Sequence, residues 1–406
     1  MMLVMFKLKN FGPFKEECIF DMRAIKAYKE HPYNLIQENE DQSLLKVVGI
    51  YGANASGKSN FARAYKTFSS IVRYSFAKNG KEEKESVLEE YYHPFQLDEE
   101  SYRSETEFEA IYYYGENEYR YGFAYHKKAV VYEWLYKKSL NTNRQTVILE
   151  RNHNKFEFGA SVRDICEKYE SDIDHDVLAL SFLSSLKLKT KVFRETEFCI
   201  KEVFVFSFSY DGQSEYFLQS YFEKNFDEKE KPNILRFLHA IDVGITDIEV
   251  EKNKDKVSVY TFHNGKDGKK YKFPLDIESD GTKRAIAIYS LVRIAVLFNC
   301  ALIIDEFNNQ LHPLLQKYIL DLFYEDSTRG QLIYTTHDTT LMDKQYMRRD
   351  QIWFTDKNSA GESSIYSLAE FKIRNDKSFG KDYLSGVYGG IPILKEFSFK
   401  EDKNGD

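Results

Sequence analysis

Proline is scarce in this sequence, with 7 among 406 residues, and so are tryptophan, at 2, and cysteine, at 4. The cysteines Cys18, Cys166, Cys199 and Cys300 lie more than thirty residues apart. No pair has the spacing of a zinc site or a redox dithiol, so a reduced, cytoplasmic protein is expected. Positive charge is not in excess either. The 57 Lys and Arg stand against 64 Asp and Glu, a formal net charge of −7, which excludes a globally basic nucleic-acid coat but not a local basic face. A long apolar run is missing. The nearest, residues 285–304, contains Arg293 and Asn299 and runs into Asp305-Glu306, which predicts a helix and then a buried strand rather than a bilayer crossing. The opening MMLVMFKLKNFGPF has no basic stretch before it and no small-residue cleavage site after it, so no secretory segment is expected. No heptad pattern lasts three repeats, which excludes a long coiled coil, and no internal repeat or low-complexity tract occurs.

What is present is an ordinary globular composition, 42% hydrophobic and 30% charged, in a length that allows two or three lobes. Residues 1–22 alternate about the turn Asn10-Phe11-Gly12-Pro13 and predict an antiparallel hairpin. Residues 44–51 read as a buried strand and Lys58 to about Phe76 as a helix. The charged run 81–90 predicts a solvated loop or helix face. Three alternating, aromatic-rich segments over 105–138 predict a meander. From 155 to 245 the spacing turns helical, as in 175–188 and 232–241. Strands return at 246–275, and the last third alternates helix and strand in the manner of a parallel α/β sheet. The expected division is an N-terminal lobe over 1–150, a helical insertion over 151–245, a C-terminal lobe over 246–397 and a disordered tail over 398–406.

Four segments carry chemistry. Gly52-Ala53-Asn54-Ala55-Ser56-Gly57-Lys58-Ser59 matches G-x4-G-K-[ST] between a strand and a helix. Glycines there let successive backbone N–H groups turn toward phosphate, and the helix N-terminus adds partial positive charge. Lys58 would reach the β- and γ-phosphates and Ser59 would bind Mg2+. Second, the apolar strand 300–304 ends in Asp305-Glu306, placed for a Mg2+-supporting aspartate and a carboxylate that orients or deprotonates water. Third, the strand 331–335 leads to His337, suited to donate to a γ-phosphate oxygen or to position the carboxylate. Fourth, Ser279-Asp280-Gly281 opens a helix 26 residues before Asp305. Taken alone it favours an ordinary N-cap over an anion site.

In this order and rough spacing the four resemble the motifs of ABC-type ATPases. The chain is similar to their SMC/RecF/OLD-like branch, and most closely resembles the RloA, AbiLi-type and PARIS AriA-like ATPases of anti-phage defence. The phrases YGANASGKSN, ESDGTKRA, IIDEFNNQLHP, TTHDTTLMD, RRDQIWFTDK and YLSGVYGGIP carry the likeness. It implies an α/β P-loop NTPase of ABC-ATPase type, with an antiparallel β subdomain and a compact helical insertion. It implies ATP and Mg2+, bound by Gly52, Asn54, Ala55, Ser56, Gly57, Lys58, Ser59 and Asn60, with Asp305 supporting the metal. Glu306 becomes the catalytic carboxylate and His337 the γ-phosphate switch. Ser279 and Gly281 meet the γ-phosphate of a second subunit in an ATP-sandwich homodimer, or within a higher oligomer. Gln96 falls where a metal-contacting Q-loop glutamine would be, and Asn10-Phe11 where a loop near adenine would be.

Two departures stand out. Asn308 occupies the D-loop position where relatives usually have aspartate. The 69 residues after His337 hold no acidic Toprim constellation, so a nuclease activity is not expected of this chain itself. The resemblance implies an ATPase that controls a separately encoded, Toprim-type effector nuclease and is triggered by DNA or a phage protein, without a membrane partner. The alternatives are a RecF-like DNA-repair or DNA-end-binding ATPase, for which Arg348-Arg349 is a candidate basic patch, and a weakly hydrolysing nucleotide sensor.

Overall fold

A computed structural model describes residues 1–39, 42–76, 86–207, 213–241, 243–253, 256–325, 327–373 and 377–392. The tail 398–406 lies outside the described residues, as does the first half, 81–85, of the charged run 81–90, whose second half holds the short helix Val87–Glu90.

The short apolar segments form one six-stranded sheet. Its order is Val203–Ser207, Ala301–Asp305, Gln331–Thr336, Val47–Tyr51, Ile352–Lys357 and Ser363–Ser367. The first five run parallel and the last is antiparallel. The three central strands are buried along their whole length, as a parallel sheet covered on both faces requires. The pleat sorts them. Val48, Ile50, Ile303 and Ile333 face one core, while Val47, Tyr51, Leu302, Ile304, Leu332 and Tyr334 face another.

The first core is closed by the helix Lys58–Tyr74 and, beyond it, a seven-stranded antiparallel sheet. That sheet runs from Lys155–Phe158 through Gln145–Asn152, Ala129–Ser139, Asn117–His126, Thr106–Tyr114 and Met2–Lys9 to Cys18–Asp21. The expected hairpin and meander are its middle and one end. The helix buries Phe61, Tyr65 and Phe68 against it. Phe68 stacks 5.6 Å from Phe123, and Tyr65 meets Phe6 edge-on at 5.0 Å. Truncating Phe68 to alanine in so close-packed a place would cost about 3–5 kcal/mol. The second core is closed by the helices Asp280–Phe298 and Pro313–Tyr324.

The expected helical insertion over 151–245 needs correction at its start and in its middle. Residues 145–152 and 155–158 are strands of the antiparallel sheet, so a boundary at 150 cuts through a strand. Val203–Ser207 lies inside the same stretch yet pairs with Ala301–Asp305 in the parallel sheet. Helical periodicity on either side masked these short strands. Helices do occupy Ala179–Ser185, Val192–Lys201, Gln213–Lys224 and Lys231–Ala240. The last two pack with a separate meander, Ile245–Asn253, Lys256–Asn264 and Lys270–Pro274. The longest described helix has 19 residues, so no long coiled coil occurs among the described residues. None there is long and apolar enough to cross a membrane.

Candidate nucleotide site

The parallel sheet brings three loops to one edge. The loop after Val47–Tyr51 wraps the start of the helix at Lys58, with Ala55 at φ 62° and Gly57 at φ 121°. Both angles lie in the left-handed region, which glycine enters freely. Gly52 is fixed by crowding instead. A Cβ there would stand 2.5 Å from Thr355 Oγ1 and 2.6 Å from both Ser56 Oγ and the Thr355 carbonyl oxygen. Ser56 Oγ lies 2.6 Å from Thr355 Oγ1, and the Ala53 N–H donates to Gly390 O at 2.7 Å. The loop is therefore braced from outside by residues about three hundred positions away.

Lys58 is buried, and its ammonium donates to Gly52 O at 2.7 Å and Ala53 O at 2.8 Å. Burial pulls its pKa below the ordinary value, while the charges of Glu306 and Asp305 push the other way. A cation held only by neutral carbonyls and two nearby acids is ready to exchange those carbonyls for phosphate.

Asp305 closes the strand Ala301–Asp305, two places along the sheet from Val47–Tyr51, and is buried. Its Oδ1 accepts from Thr335 Oγ1 at 2.6 Å and its Oδ2 from Ser207 Oγ at 3.2 Å. Glu306 follows with φ 58°, a sharp turn that a non-glycine residue holds only when its surroundings enforce it. The enforcing contacts are visible. Its N–H donates to Thr335 Oγ1 at 3.0 Å, and Arg284 Nη2 donates to its carbonyl at 3.0 Å. Burial pushes Arg284 down to about 10, against the opposing charge of Glu306.

Asn54, Ala55, Gly57, Lys58, Ser59, Asn60, Glu306 and His337 line one cleft of about 440 Å3. Six residues of the loop and helix start at 54–60, one carboxylate and one histidine, separated by up to 283 positions in sequence, thus line one cleft. Gly52 and Ser56 brace the loop from beneath, and Asp305 sits buried behind it.

Ser279 and Gly281 do not line the cleft. Ser279 is exposed and caps the helix Asp280–Phe298, its Oγ accepting from Thr282 N at 3.1 Å. A Cβ on Gly281 would meet only ordinary contacts, the nearest at 3.8 Å, so that helix start is open for approach. Gln96 is exposed and outside the cleft. The adenine-loop expectation for Asn10-Phe11 is corrected. Asn10 is buried, its Nδ2 donating to the Ser101 and Ser104 carbonyls and its Oδ1 accepting from Phe95 N, and Phe11 is wholly in the core. The basic-patch expectation for Arg348 fails likewise. Arg348 is buried in a bidentate pair with Asp350 at 2.8 and 2.9 Å, with further bonds to the Tyr28, Glu30 and Ile25 carbonyls.

The sequence reading missed Thr335, Thr355 and Arg284. Thr335 could have been found, since a threonine next to the end of an otherwise apolar strand must satisfy its hydroxyl there.

Over residues 47–343 the chain matches the family described as “AAA domain, putative AbiEii toxin, Type IV TA system”. Solved structures give distant likenesses. An SMC head bound to the C-terminal winged-helix domain of ScpA is 14% identical, with 90% of this chain and 97% of that chain covered and a TM-score of 0.45. The SMC head domain of Thermotoga maritima is 13% identical, covering 92% and 100%, at 0.41. The SMC head of Pyrococcus yayanosii with a coiled coil and joint is 11% identical, covering 95% and 99%, at 0.44. No curated protein matches the sequence.

Proposed function

The chain belongs to the family of AAA domains described as “putative AbiEii toxin, Type IV TA system”, and from that premise we propose that it binds and hydrolyses ATP. The observation that carries this is the single cleft shared by Lys58, Ser59, Glu306 and His337. Lys58 moves from the Gly52 and Ala53 carbonyls to the β- and γ-phosphates, and the loop amides and helix N-terminus complete the cradle. Glu306 orients the attacking water, and His337 faces the γ-phosphate. Mg2+ suits a donor set of one hydroxyl and one carboxylate completed by phosphate and water, so Ser59 and Asp305 would hold it and it would neutralise phosphate charge. Gln96, exposed and outside the cleft, is left out of that set.

Ser279 and Gly281, open and away from the cleft of their own subunit, fit a contact to the nucleotide of a second copy. The family description, a putative toxin of a Type IV TA system, supports a role in toxin–antitoxin biology, to which we add a cytoplasmic location. The resemblance to RloA, AbiLi-type and AriA-like ATPases extends this to control of a separately encoded Toprim-type effector nuclease, with DNA or a phage protein as trigger. The alternative of a DNA-end-binding ATPase has lost Arg348 from its candidate patch.

The test is a mixing assay. Lys58→Ala and Ser279→Arg are purified alone and co-expressed, and phosphate release is measured. Both are expected to be inactive alone and to recover activity when mixed. Normal hydrolysis by Ser279→Arg alone would remove the shared-site reading.

A further inference from the structure

One side chain outside the phosphate-binding residues ties the loop after Asp305 to the end of the histidine strand. Asn308 Oδ1 accepts from Thr336 Oγ1 at 2.7 Å, and Asn308 Nδ2 lies 3.3 Å from His337 Nε2. Thr336 sets the orientation of that amide. Its hydroxyl already accepts the Asp338 N–H at 2.9 Å, so its own hydrogen goes to Asn308 Oδ1. The reverse placement of the amide would turn the hydroxyl into a double acceptor and take its proton away from Asn308. With Oδ1 committed, the NH2 group faces the imidazole. An amide N–H can be received only by a ring nitrogen that carries no proton. Nε2 is then bare, and the proton of the neutral ring sits on Nδ1.

We propose that Asn308 is a positioning residue that keeps His337 as its Nδ1–H tautomer, with Nε2 occupied, until nucleotide enters. This rests on reading His337 as the partner of the γ-phosphate. In the Nδ1–H form Nε2 has nothing to donate to a phosphate oxygen. To donate from Nε2, the ring must leave Asn308 and take up a proton there, whether it then keeps the one on Nδ1 or releases it to solvent. An aspartate at 308 would act in the opposite sense, because a carboxylate only accepts and would draw a proton onto Nε2. Asparagine at the D-loop position thus leaves the resting His337 without a proton to donate from Nε2, where aspartate would leave one in place.

The test is long-range 1H–15N correlation spectroscopy on nucleotide-free protein labelled with 15N-histidine. It is run near pH 8.5, about two units above the ordinary imidazole pKa of roughly 6.5. Subtracting the spectrum of His337→Gln identifies the His337 signals among the nine histidines. Wild type is expected to show an unprotonated Nε2 and Asn308→Asp a protonated one. Asn308→Ala is expected to shift the tautomer ratio several-fold toward Nε2–H. A protonated Nε2 in wild type, or one tautomer common to all three proteins, overturns the proposal. The wild-type spectrum decides alone if a variant does not fold. No nucleotide is present, so this result stands or falls apart from the mixing assay, which tests the phosphate chemistry itself.

Discussion

The Thr335 hydroxyl donates to Asp305 Oδ1 at 2.6 Å. Thr335 Oγ1 in turn accepts the Glu306 N–H at 3.0 Å, so one buried threonine fixes both the direction of the aspartate and the turn that aims the glutamate. The arrangement couples two adjacent strands at the point where their loops reach the cleft. Thr335→Val keeps the shape and removes the hydroxyl, leaving a buried carboxylate oxygen and an N–H short of a partner. Denaturant unfolding should show a loss of about 1–3 kcal/mol, and phosphate release should fall more than tenfold. Thr335→Ser should restore most of both, because it keeps the donor.

Gly52 offers a steric prediction that separates backbone from side-chain crowding. Of the three atoms a Cβ would meet, the Ser56 and Thr355 hydroxyls can rotate away, but the Thr355 carbonyl oxygen at 2.6 Å belongs to the backbone. Gly52→Ala must therefore displace the loop or the strand Ile352–Lys357. A destabilisation of about 1–3 kcal/mol is expected, as for other overpacked sites. Titration with a fluorescent ATP analogue should show at least tenfold weaker binding. Adding Thr355→Ser to Gly52→Ala should not rescue it, because the carbonyl remains.

Much of this was legible in the sequence because the informative residues are local. Gly52–Ser59 carries its own turn chemistry, and the strands before Asp305 and His337 are short apolar runs that only a covered parallel sheet accommodates. What could not be read was the bracing from a distance. Thr355 and Gly390 touch the phosphate loop across about three hundred residues, and nothing near them marks the contact. The same holds for Arg348, which reads in sequence as half of a basic pair. Only the fold shows that Asp350 and three carbonyls enclose it.

Arg348→Ala is accordingly expected to act on stability. It would leave Asp350 buried at 3% exposure without its bidentate partner, a change worth about 3–5 kcal/mol. Arg349, next in sequence, lies over the Tyr28 ring at 5.5 Å, and its removal should cost about 1 kcal/mol or less. Parallel urea titrations of the two variants should show this contrast. Equal midpoints, or reduced DNA binding by folded Arg348→Ala, would return Arg348 to the surface role its sequence suggested.

The cysteines provide a pH prediction whose sign follows from burial. All four are free and buried, and loss of solvation pushes Cys18 and Cys166 up to about 11 and Cys199 and Cys300 up to about 12 from an ordinary 9.0. The folded protein therefore keeps protons that the unfolded chain gives up. Their contribution to stability is complete below pH 9 and is lost as pH rises through 9 toward 11 and 12. Buried Tyr65, Tyr112 and Tyr121 act in the same direction from an ordinary 10.0. The urea midpoint should accordingly be lower at pH 10 than at pH 8. The same burial keeps the thiolates scarce and out of reach. Iodoacetamide at pH 8 should leave all four cysteines unmodified in the folded protein and label all four in denaturant. One cysteine that reacts rapidly in the folded state would show that its helix or strand opens on the timescale of labelling, and its position would identify which core is the weaker.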